Sequence, residues 1–215
     1  SASLIIVDDE TASLTLTLSP PSISENGGTT TGKVTRNTPT AAALVVSLSS
    51  SDSNAATVPA TVTIPAGATS ATFTISAIDN SVADGNQTLN VSGSATGLAS
   101  ASASLTIVDD ETASLSLTLI SSSISENGGT TTGKVTRNTP TAAALAVSLF
   151  SSDPSAATVP ATVTIPAGAS FATFTISAVD DVLVDGTQLT TITATASGHA
   201  LAEETLEVTN DEQGN

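Results

Sequence analysis

Residues 71–78 read ATFTISAI, and this stretch decides the fold class of the chain. Phe73 and Ile75 fall on one side of an extended backbone, while Thr72, Thr74 and Ser76 fall on the other. Such an alternation predicts a β-strand with one buried face and one face in water. The same pattern recurs along the whole chain, and no segment combines a helical period with helix caps. The sequence therefore predicts an all-β protein.

Six further segments around this strand show the same alternation. They are ASLTLTL (12–18), GKVTR (32–36), LVVSL (44–48), ATVTI (60–64), LNVSG (89–93) and SLTIV (104–108). Turn sequences such as Asn26-Gly27-Gly28 separate them, because these residues supply the positive φ that a chain reversal needs. Seven such strands predict an immunoglobulin-like sandwich of two antiparallel sheets. Its core is expected to contain small aliphatic side chains and the four phenylalanines, Phe73, Phe150, Phe171 and Phe174.

The sequence repeats itself after 101 residues, which is the size of one such sandwich. The block SISENGGTTTGKVTRNTPTAAAL, for example, occurs at 22–44 and again at 123–145. We therefore predict two tandem seven-stranded modules, residues 11–111 and 112–215, which stack end to end because no flexible linker separates them. Residues 1–10 match the end of the first module, and we interpret them as the closing strand of a preceding module or as a strand exchanged with another molecule.

Charge and composition exclude several classes of function. The net charge of −16 argues against binding to nucleic acid or to an anionic membrane surface. The only cations are Lys33, Arg36, Lys134 and Arg137, two per module at equivalent places, and Lys33 with Arg36 is expected to form weak ion pairs at the surface. No apolar run is long enough for a membrane span, and the absence of cysteine excludes a disulfide framework. Richness in Thr, Ser, Ala and Gly favours an extracellular or cell-surface protein.

The acidic residues recur with the same period as the strands. The triplet Asp8-Asp9-Glu10 returns as Asp109-Asp110-Glu111, and once more as Asn210-Asp211-Glu212. The single acids of the first module return in the second as the pairs Glu25 and Glu126, Asp52 and Asp153, Asp79 and Asp180, and Asp84 and Asp185, with Asp181 added where Asn80 stands. Only Glu203, Glu204 and Glu207 lie outside this scheme.

Alternating strand directions allow these acids to meet at one tip of each sandwich. Like charges about 4 Å apart in water repel by roughly 1 kcal/mol per pair. A divalent cation turns that repulsion into ligation, and calcium takes about six to eight oxygen ligands in flexible geometry. The alternative interpretation is that these acids cap turns and keep a neutral β-rich surface soluble.

Several motifs together resemble the Calx-beta module of sodium–calcium exchangers and bacterial surface proteins. They are SEN (24–26), PAG (65–67), IDNSVADGNQTL (78–89) and VDDE (108–111). The resemblance covers both modules and the leading segment, and it implies an immunoglobulin-like sandwich that binds several Ca²⁺ ions at its C-terminal tip. In the first module the implied ligands are Glu25, Asp52, Asp79, the Val82 carbonyl, Asp84, Asp109, Asp110 and Glu111. In the second they are Glu126, Asp153, Asp180, Asp181, Asp185, Asp211 and Glu212.

This sequence departs from the family pattern at positions where an acid is frequent. Asn80, Gln87, Gln188 and Asn210 stand there instead. Each replacement removes a charge but keeps an oxygen, so fewer or weaker ions are expected than in the exchanger modules.

Two functions from different classes follow as hypotheses. The first is a calcium-binding extracellular structural or adhesion repeat, whose partners are neighbouring modules and whose inter-module joint at Asp109–Glu111 is rigidified by Ca²⁺. The second is a subunit of a self-assembling surface filament or layer, a homo-polymer in which residues 1–10 pair with another molecule. No enzyme is predicted, because His199 is the only histidine and no serine–histidine arrangement recurs in both modules.

Overall fold

The computed structural model describes residues 10–184 and 186–212. Within these residues every element of regular secondary structure is a β-strand, as the alternating pattern predicts. The predicted strand at 1–10 lies outside the described residues except for Glu10, and so does the predicted ligand Asp185.

The chain divides into two compact units. Residues 10–80 and 85–110 form the first, whereas residues 81–84, 111–184 and 186–212 form the second. The described strands of the first unit are β1 (Leu14–Ser19), β2 (Ser22–Ser24), β3 (Thr29–Arg36), β4 (Leu44–Ser50), β5 (Ala56–Thr57), β6 (Thr61–Ile64), β7 (Ser70–Ala77), β8 (Gln87–Ser94) and β9 (Ala101–Val108). They form two sheets, with orders β1-β3-β7-β5 and β2-β9-β8-β4-β6.

The second unit repeats this arrangement. Its described strands are β10 (Leu115–Leu119), β11 (Ser123–Ser125), β12 (Thr130–Arg137), β13 (Leu145–Ser151), β14 (Ala157–Thr158), β15 (Thr162–Ile165), β16 (Phe171–Ala178), β17 (Gln188–Thr195) and β18 (Ala202–Thr209). The sheet orders are β10-β12-β16-β14 and β11-β18-β17-β13-β15. Equivalent sequences thus adopt equivalent strand orders.

Each unit holds two short strands beyond the seven that the sequence predicts, β2 and β5 in the first unit and β11 and β14 in the second. Strands of two or three residues are too short to show an alternation. β2 also departs from the antiparallel prediction, because it pairs in parallel with β9, Ile23 opposite Ile107. Pro20 and Pro21 separate β1 from β2. Since proline has no N–H for a strand ladder, this is where the first unit's leading strand passes from one sheet to the other.

Both sheets of the first unit contribute to one core. Val34 and Ile75 come from one sheet and Val91 and Leu105 from the other, and all four are fully buried. Phe73 is also buried, and its ring covers Gly32 on the neighbouring strand, where an added Cβ would lie 2.3 Å from the ring carbon Cζ. The glycine therefore makes room for the largest side chain of this core.

Two of the four phenylalanines were wrongly predicted to be in the core. Phe150 and Phe171 are 58% and 46% exposed, because both fall on the outward side of their strands. The Nζ atom of Lys134 lies 4.3 Å from the centre of the Phe171 ring, a cation–π contact.

The prediction that Arg36 forms surface ion pairs is wrong. Arg36 and Arg137 are each only 6% exposed. The Arg36 guanidinium donates hydrogen bonds to the Ala42 carbonyl at 2.8 Å and to the Ala68 carbonyl at 3.1 Å. A planar guanidinium with several donors suits such a cluster of backbone acceptors, so Arg36 joins two loops rather than pairing with an acid.

Candidate metal centre

The parallel pairing of β2 with β9 brings two acidic segments to one end of the first unit. Ser24 lies opposite Val108, so Glu25 and Asp109 both follow the ends of their strands on the same side. The Glu25 amide continues the pairing and donates to the Val108 carbonyl at 2.9 Å. β7 ends at Ala77, and Asp79 follows it. Short sequence segments far apart in the chain therefore converge on one tip.

Carboxylate oxygens gather at this tip. Glu25, Asp79 and Asp110, together with Glu111, the next residue along the chain, each offer an oxygen, and these oxygens all lie within 4.8 Å of one another. We call this group the first cluster. Glu25 is buried, Glu111 is half-buried, and the two aspartates are exposed.

Glu25 is the unusual member of the first cluster. Its side chain is 2% exposed, and its Oε1 atom is buried without a hydrogen-bond partner. The other oxygen, Oε2, accepts a long hydrogen bond from Asn80 Nδ2 at 3.5 Å. Burying an ionised carboxylate is costly unless it is paired or ligates a metal. An orphaned buried oxygen among other carboxylates fits the ligand shell of a cation.

The chemistry of the donor set restricts the cation. All members of the first cluster offer oxygen, and none offers nitrogen or sulfur. Oxygen ligands suit hard cations such as calcium and magnesium. The cluster thus fits a hard divalent ion.

The second unit builds a matching group from Glu126, Asp211 and Glu212, whose oxygens also lie within 4.8 Å of one another. We call this the second cluster. Glu126 is 2% exposed, and its Oε1 accepts a hydrogen bond from the Asp211 amide at 3.2 Å. The Oε2 atom of Glu212 is buried without a hydrogen-bond partner. Each cluster therefore contains a buried glutamate and two consecutive acids, Asp110 and Glu111 in the first and Asp211 and Glu212 in the second.

Electrostatics in the second cluster show how crowded the acids are. A hydrogen bond with Glu212 and burial together raise the pKa of Glu126 to about 7. The negative charges of Glu212 and Asp181 act in the same direction, whereas the Asp211 amide opposes them. Burial and neighbouring acids thus disfavour the negative charge of Glu126, so this cluster is a place where a positive charge is favoured.

Other predicted ligands are positioned as turn residues. Asp52 Oδ1 accepts from the Asn54 amide at 2.9 Å, and Asp153 Oδ1 accepts from the Ser155 amide at 3.0 Å. Hydrogen bonds from Ser155 lower the pKa of Asp153. Asp181 Oδ1 accepts from the Leu183 amide at 2.7 Å. These geometries agree with the alternative interpretation of such acids as turn caps.

Three further predicted carboxylate ligands lie outside the two sets of mutually close carboxylate oxygens, namely Asp84, Asp109 and Asp180. Asp109 Oδ2 accepts a hydrogen bond from the Gly85 amide, and the Asp109 amide donates to Asn86 Oδ1 at 3.2 Å. Asp109 therefore ties the loop before β8 to the end of β9.

The sequence interpretation missed the role of two asparagines. Asn26 Nδ2 donates to Asp110 Oδ2 at 3.1 Å, and Asn127 Nδ2 donates to Asp211 Oδ2 at 2.8 Å. Both asparagines belong to the SEN motif, where each directly follows the buried glutamate. That adjacency is the signal that could have placed them beside the clusters.

No protein-family model matches the sequence, and no curated protein matches it. Among solved structures, the chain is similar to a tetra-tandem repeat in the extending region of a large adhesion protein, with 20% identity, a TM-score of 0.44, and coverage of 94% of this chain and 50% of that chain. It is also similar to CBD12 from CALX1.2, with 15% identity, a TM-score of 0.37, and coverage of 84% and 79%.

A third similar structure is that of domains 4 and 5 of the S-layer protein SbsC. It shares 16% identity and a TM-score of 0.34, with coverage of 94% of this chain and 99% of that chain. These values describe similarity of backbone arrangement only. Among the described residues, no helix has the length and apolar character that crossing a membrane would require.

Proposed function

We propose that each unit is a calcium-binding structural repeat of an extracellular or cell-surface array. The observation that carries this proposal is the buried Glu25 carboxylate, whose Oε1 has no hydrogen-bond partner and lies among the oxygens of the first cluster. A turn-capping role leaves that oxygen unexplained, since a cap accepts hydrogen bonds from nearby amides. A cation supplies the missing partner.

Calcium suits the first cluster better than magnesium does. Magnesium requires nearly ideal octahedral geometry, whereas calcium accepts irregular sets of carboxylates, carbonyls and waters. Asp79 and Asp110 are exposed loop residues, and Glu25 is fixed at a strand end. Water can complete the shell from the exposed side, so an irregular coordination sphere is the natural outcome.

Ion binding would stabilise the fold by joining distant segments. Glu25 follows β2, Asp79 follows β7, and Asp110 follows β9, so one ion would tether three strand ends. Calcium at about 100 times its Kd adds about 2.7 kcal/mol of stability per site. The gain is expected to matter in a chain whose core has few large side chains.

The same ligation would act on the connection between modules. Asp110 and Glu111 are consecutive residues, and the chain continues from them into the next module. Holding both carboxylates on one ion restricts the backbone dihedrals of that connection. We propose that calcium in this way converts a flexible string of modules into a stiff array that displays an adhesive part elsewhere.

Isothermal titration with Ca²⁺ and thermal melts in calcium or in a chelator test this function. The full chain is expected to bind Ca²⁺ and to melt at a higher temperature with it. Small-angle scattering should also show a longer mean particle in calcium. An unchanged melting temperature and no binding heat would rule the proposal out.

A matched pair of variants separates the site from general charge effects. Glu25→Gln removes the buried charge from the first cluster with little change of shape and should weaken calcium binding there. Glu204→Gln removes an exposed charge outside both clusters and should leave binding unchanged. Equal losses in the two variants would point to diffuse attraction instead of a site.

A further inference from the structure

The chain contains two Asn-Gly pairs, Asn26-Gly27 and Asn127-Gly128, and both stand beside the acidic clusters. Their side-chain nitrogens donate to Asp110 and Asp211, as described above. We propose that Asn26 and Asn127 are sites of spontaneous deamidation, and that the reaction adds one carboxylate to each cation site. The deamidation is inferred from local geometry, whereas the gain of a ligand for a cation rests on the proposed function.

The reaction needs water and no enzyme or cofactor. The backbone nitrogen of Gly27 attacks Cγ of Asn26 and forms a C–N bond. The bond from Cγ to Nδ2 breaks, and ammonia leaves with the proton that the Gly27 nitrogen gives up. Water then opens the succinimide at either carbonyl and produces aspartate or isoaspartate. The net change is an amide plus water giving a carboxylic acid plus ammonia, with no oxidation or reduction.

The turn around each pair leaves room for this chemistry. Gly27 is exposed with a φ of 70°, and a Cβ added there would have no atom within 4 Å. Gly128 has the same φ and the same open surroundings. Glycine has no side chain to hinder attack by its nitrogen, and because both residues of each pair are exposed, water can reach the ring that forms.

One hydrogen bond must open before the attack. The Gly27 amide donates to the Glu25 carbonyl at 2.7 Å, and the Gly128 amide donates to the Glu126 carbonyl at 2.7 Å. Each bond joins residues two apart within a turn, between β2 and β3 in the first unit and between β11 and β12 in the second. Opening it therefore leaves the hydrogen bonds between strands intact. The reaction is therefore compatible with the folded protein.

Deamidation changes the electrostatics of the cluster. The amide that donates to Asp211 Oδ2 at 2.8 Å becomes a carboxylate that repels it. A divalent cation between the two oxygens removes the repulsion and gains a ligand. Calcium affinity rises with the charge of the ligand set, and within residues 10–184 and 186–212 the second cluster holds fewer carboxylates than the first. The effect is therefore largest at Asn127.

Mass spectrometry of the native full chain tests the reaction itself. After incubation at mildly alkaline pH, the fragments containing Asn26 and Asn127 should gain the mass difference between OH and NH₂, with release of ammonia and formation of isoaspartate. Replacing both residues, Asn26→Gln and Asn127→Gln, should abolish the gain. If the folded chain gains no mass while the urea-unfolded chain does, the proposal is overturned.

Calorimetry with Ca²⁺ tests the consequence. Asn127→Asp, which reproduces one product, should bind calcium about tenfold more tightly at the second cluster than Asn127→Gln. Equal affinities of these two variants would refute the added ligand. A wild-type chain that binds no calcium would refute the proposed function, whereas the mass measurement would still decide whether deamidation occurs.

Discussion

Carboxylate oxygens of Glu126 and Glu212 lie within 4.8 Å of each other, although the two residues lie near opposite ends of the second unit's sequence. Glu126 is only 2% exposed, so water stabilises its negative charge poorly. A proton on Glu126 relieves both the burial of that charge and its repulsion from the neighbouring carboxylate. This contact therefore makes the stability of the second unit depend on pH.

The first prediction concerns pH in the absence of calcium. The pKa of Glu126 is raised from 4.5 to about 7, so between these values the folded chain holds a proton that the unfolded chain has released. The free energy of unfolding must then fall as pH rises through this window and become level above it. Urea unfolding of the second unit at a series of pH values in a chelator measures this slope.

Glu126→Gln provides the control for the pH effect. Glutamine imitates the protonated acid at every pH, so the part of the slope that arises from Glu126 should disappear. A variant that keeps the full wild-type slope would assign the effect to another group. Saturating calcium should also remove the slope, because the ion requires the deprotonated ligand.

The second prediction is that the two clusters bind calcium with unequal affinity. Among the residues that the structure describes, Asp79 belongs to the first cluster, whereas Asp180 at the equivalent position lies outside the second. Since affinity depends on ligand charge, calcium should titrate in two phases, with the tighter phase lost in Glu25→Gln and the weaker one lost in Glu126→Gln. A single phase in the wild-type chain would contradict this order.

The third prediction concerns the packing of Phe73 on Gly32. An added methyl group at residue 32 would overlap the ring, so Gly32→Ala should destabilise the first unit by about 1–3 kcal/mol. Gly93→Ala is the matched control, because a Cβ there meets its nearest atom, Val46 Cγ1, at an ordinary 3.4 Å. Denaturant unfolding should separate the two variants, and similar stabilities would show that the ring position is not restrictive.

The fourth prediction concerns the buried arginine of the first unit. Arg36→Ala removes the donors to the Ala42 and Ala68 carbonyls and should cost about 1–3 kcal/mol. Lys33→Ala removes an exposed cation and should cost less than about 1 kcal/mol. The Arg36 effect should persist at high salt, because it arises from hydrogen bonds to backbone carbonyls. Loss of the effect in salt would restore the ion-pair interpretation.

The fifth prediction concerns residues 1–10, which repeat the sequence of the β9 strand and its acidic end. If this segment pairs with another molecule, deleting it should abolish any concentration-dependent assembly while leaving the melting temperature of the two units unchanged. Light scattering and calorimetry on the shortened chain measure both. Assembly that survives the deletion would exclude strand exchange.

Much of the fold could be predicted from local patterns. The alternation in residues 71–78 predicts which side of β7 is buried, and the structure confirms it, with Phe73 and Ile75 inside. The pattern failed for Phe150 and Phe171, where a large apolar residue stands on the outward side. Hydrophobicity alone cannot assign a face when a neighbouring residue, such as Leu149, already fills the inward position.

The candidate site was less accessible to such patterns. The repeat singled out the acids as a group but could not separate Glu25 from Asp52, since both recur in the second module. Their surroundings separate them: Glu25 is enclosed among other carboxylates, whereas Asp52 accepts a hydrogen bond from the Asn54 amide two residues away. A turn cap joins residues that are close in the sequence, whereas a cluster joins residues that are far apart in it.

The sequence by itself determined the strand class, the repeat and the identity of the recurring acids, because these depend on side-chain chemistry at fixed spacing. Only the tertiary structure decided which acids meet. Parallel pairing of β2 with β9 places Glu25 beside Asp110, residues separated by most of the first unit, and buries one carboxylate oxygen without a donor. The physical reason is that burial and charge repulsion depend on distances in space, which the pairing of remote strands sets.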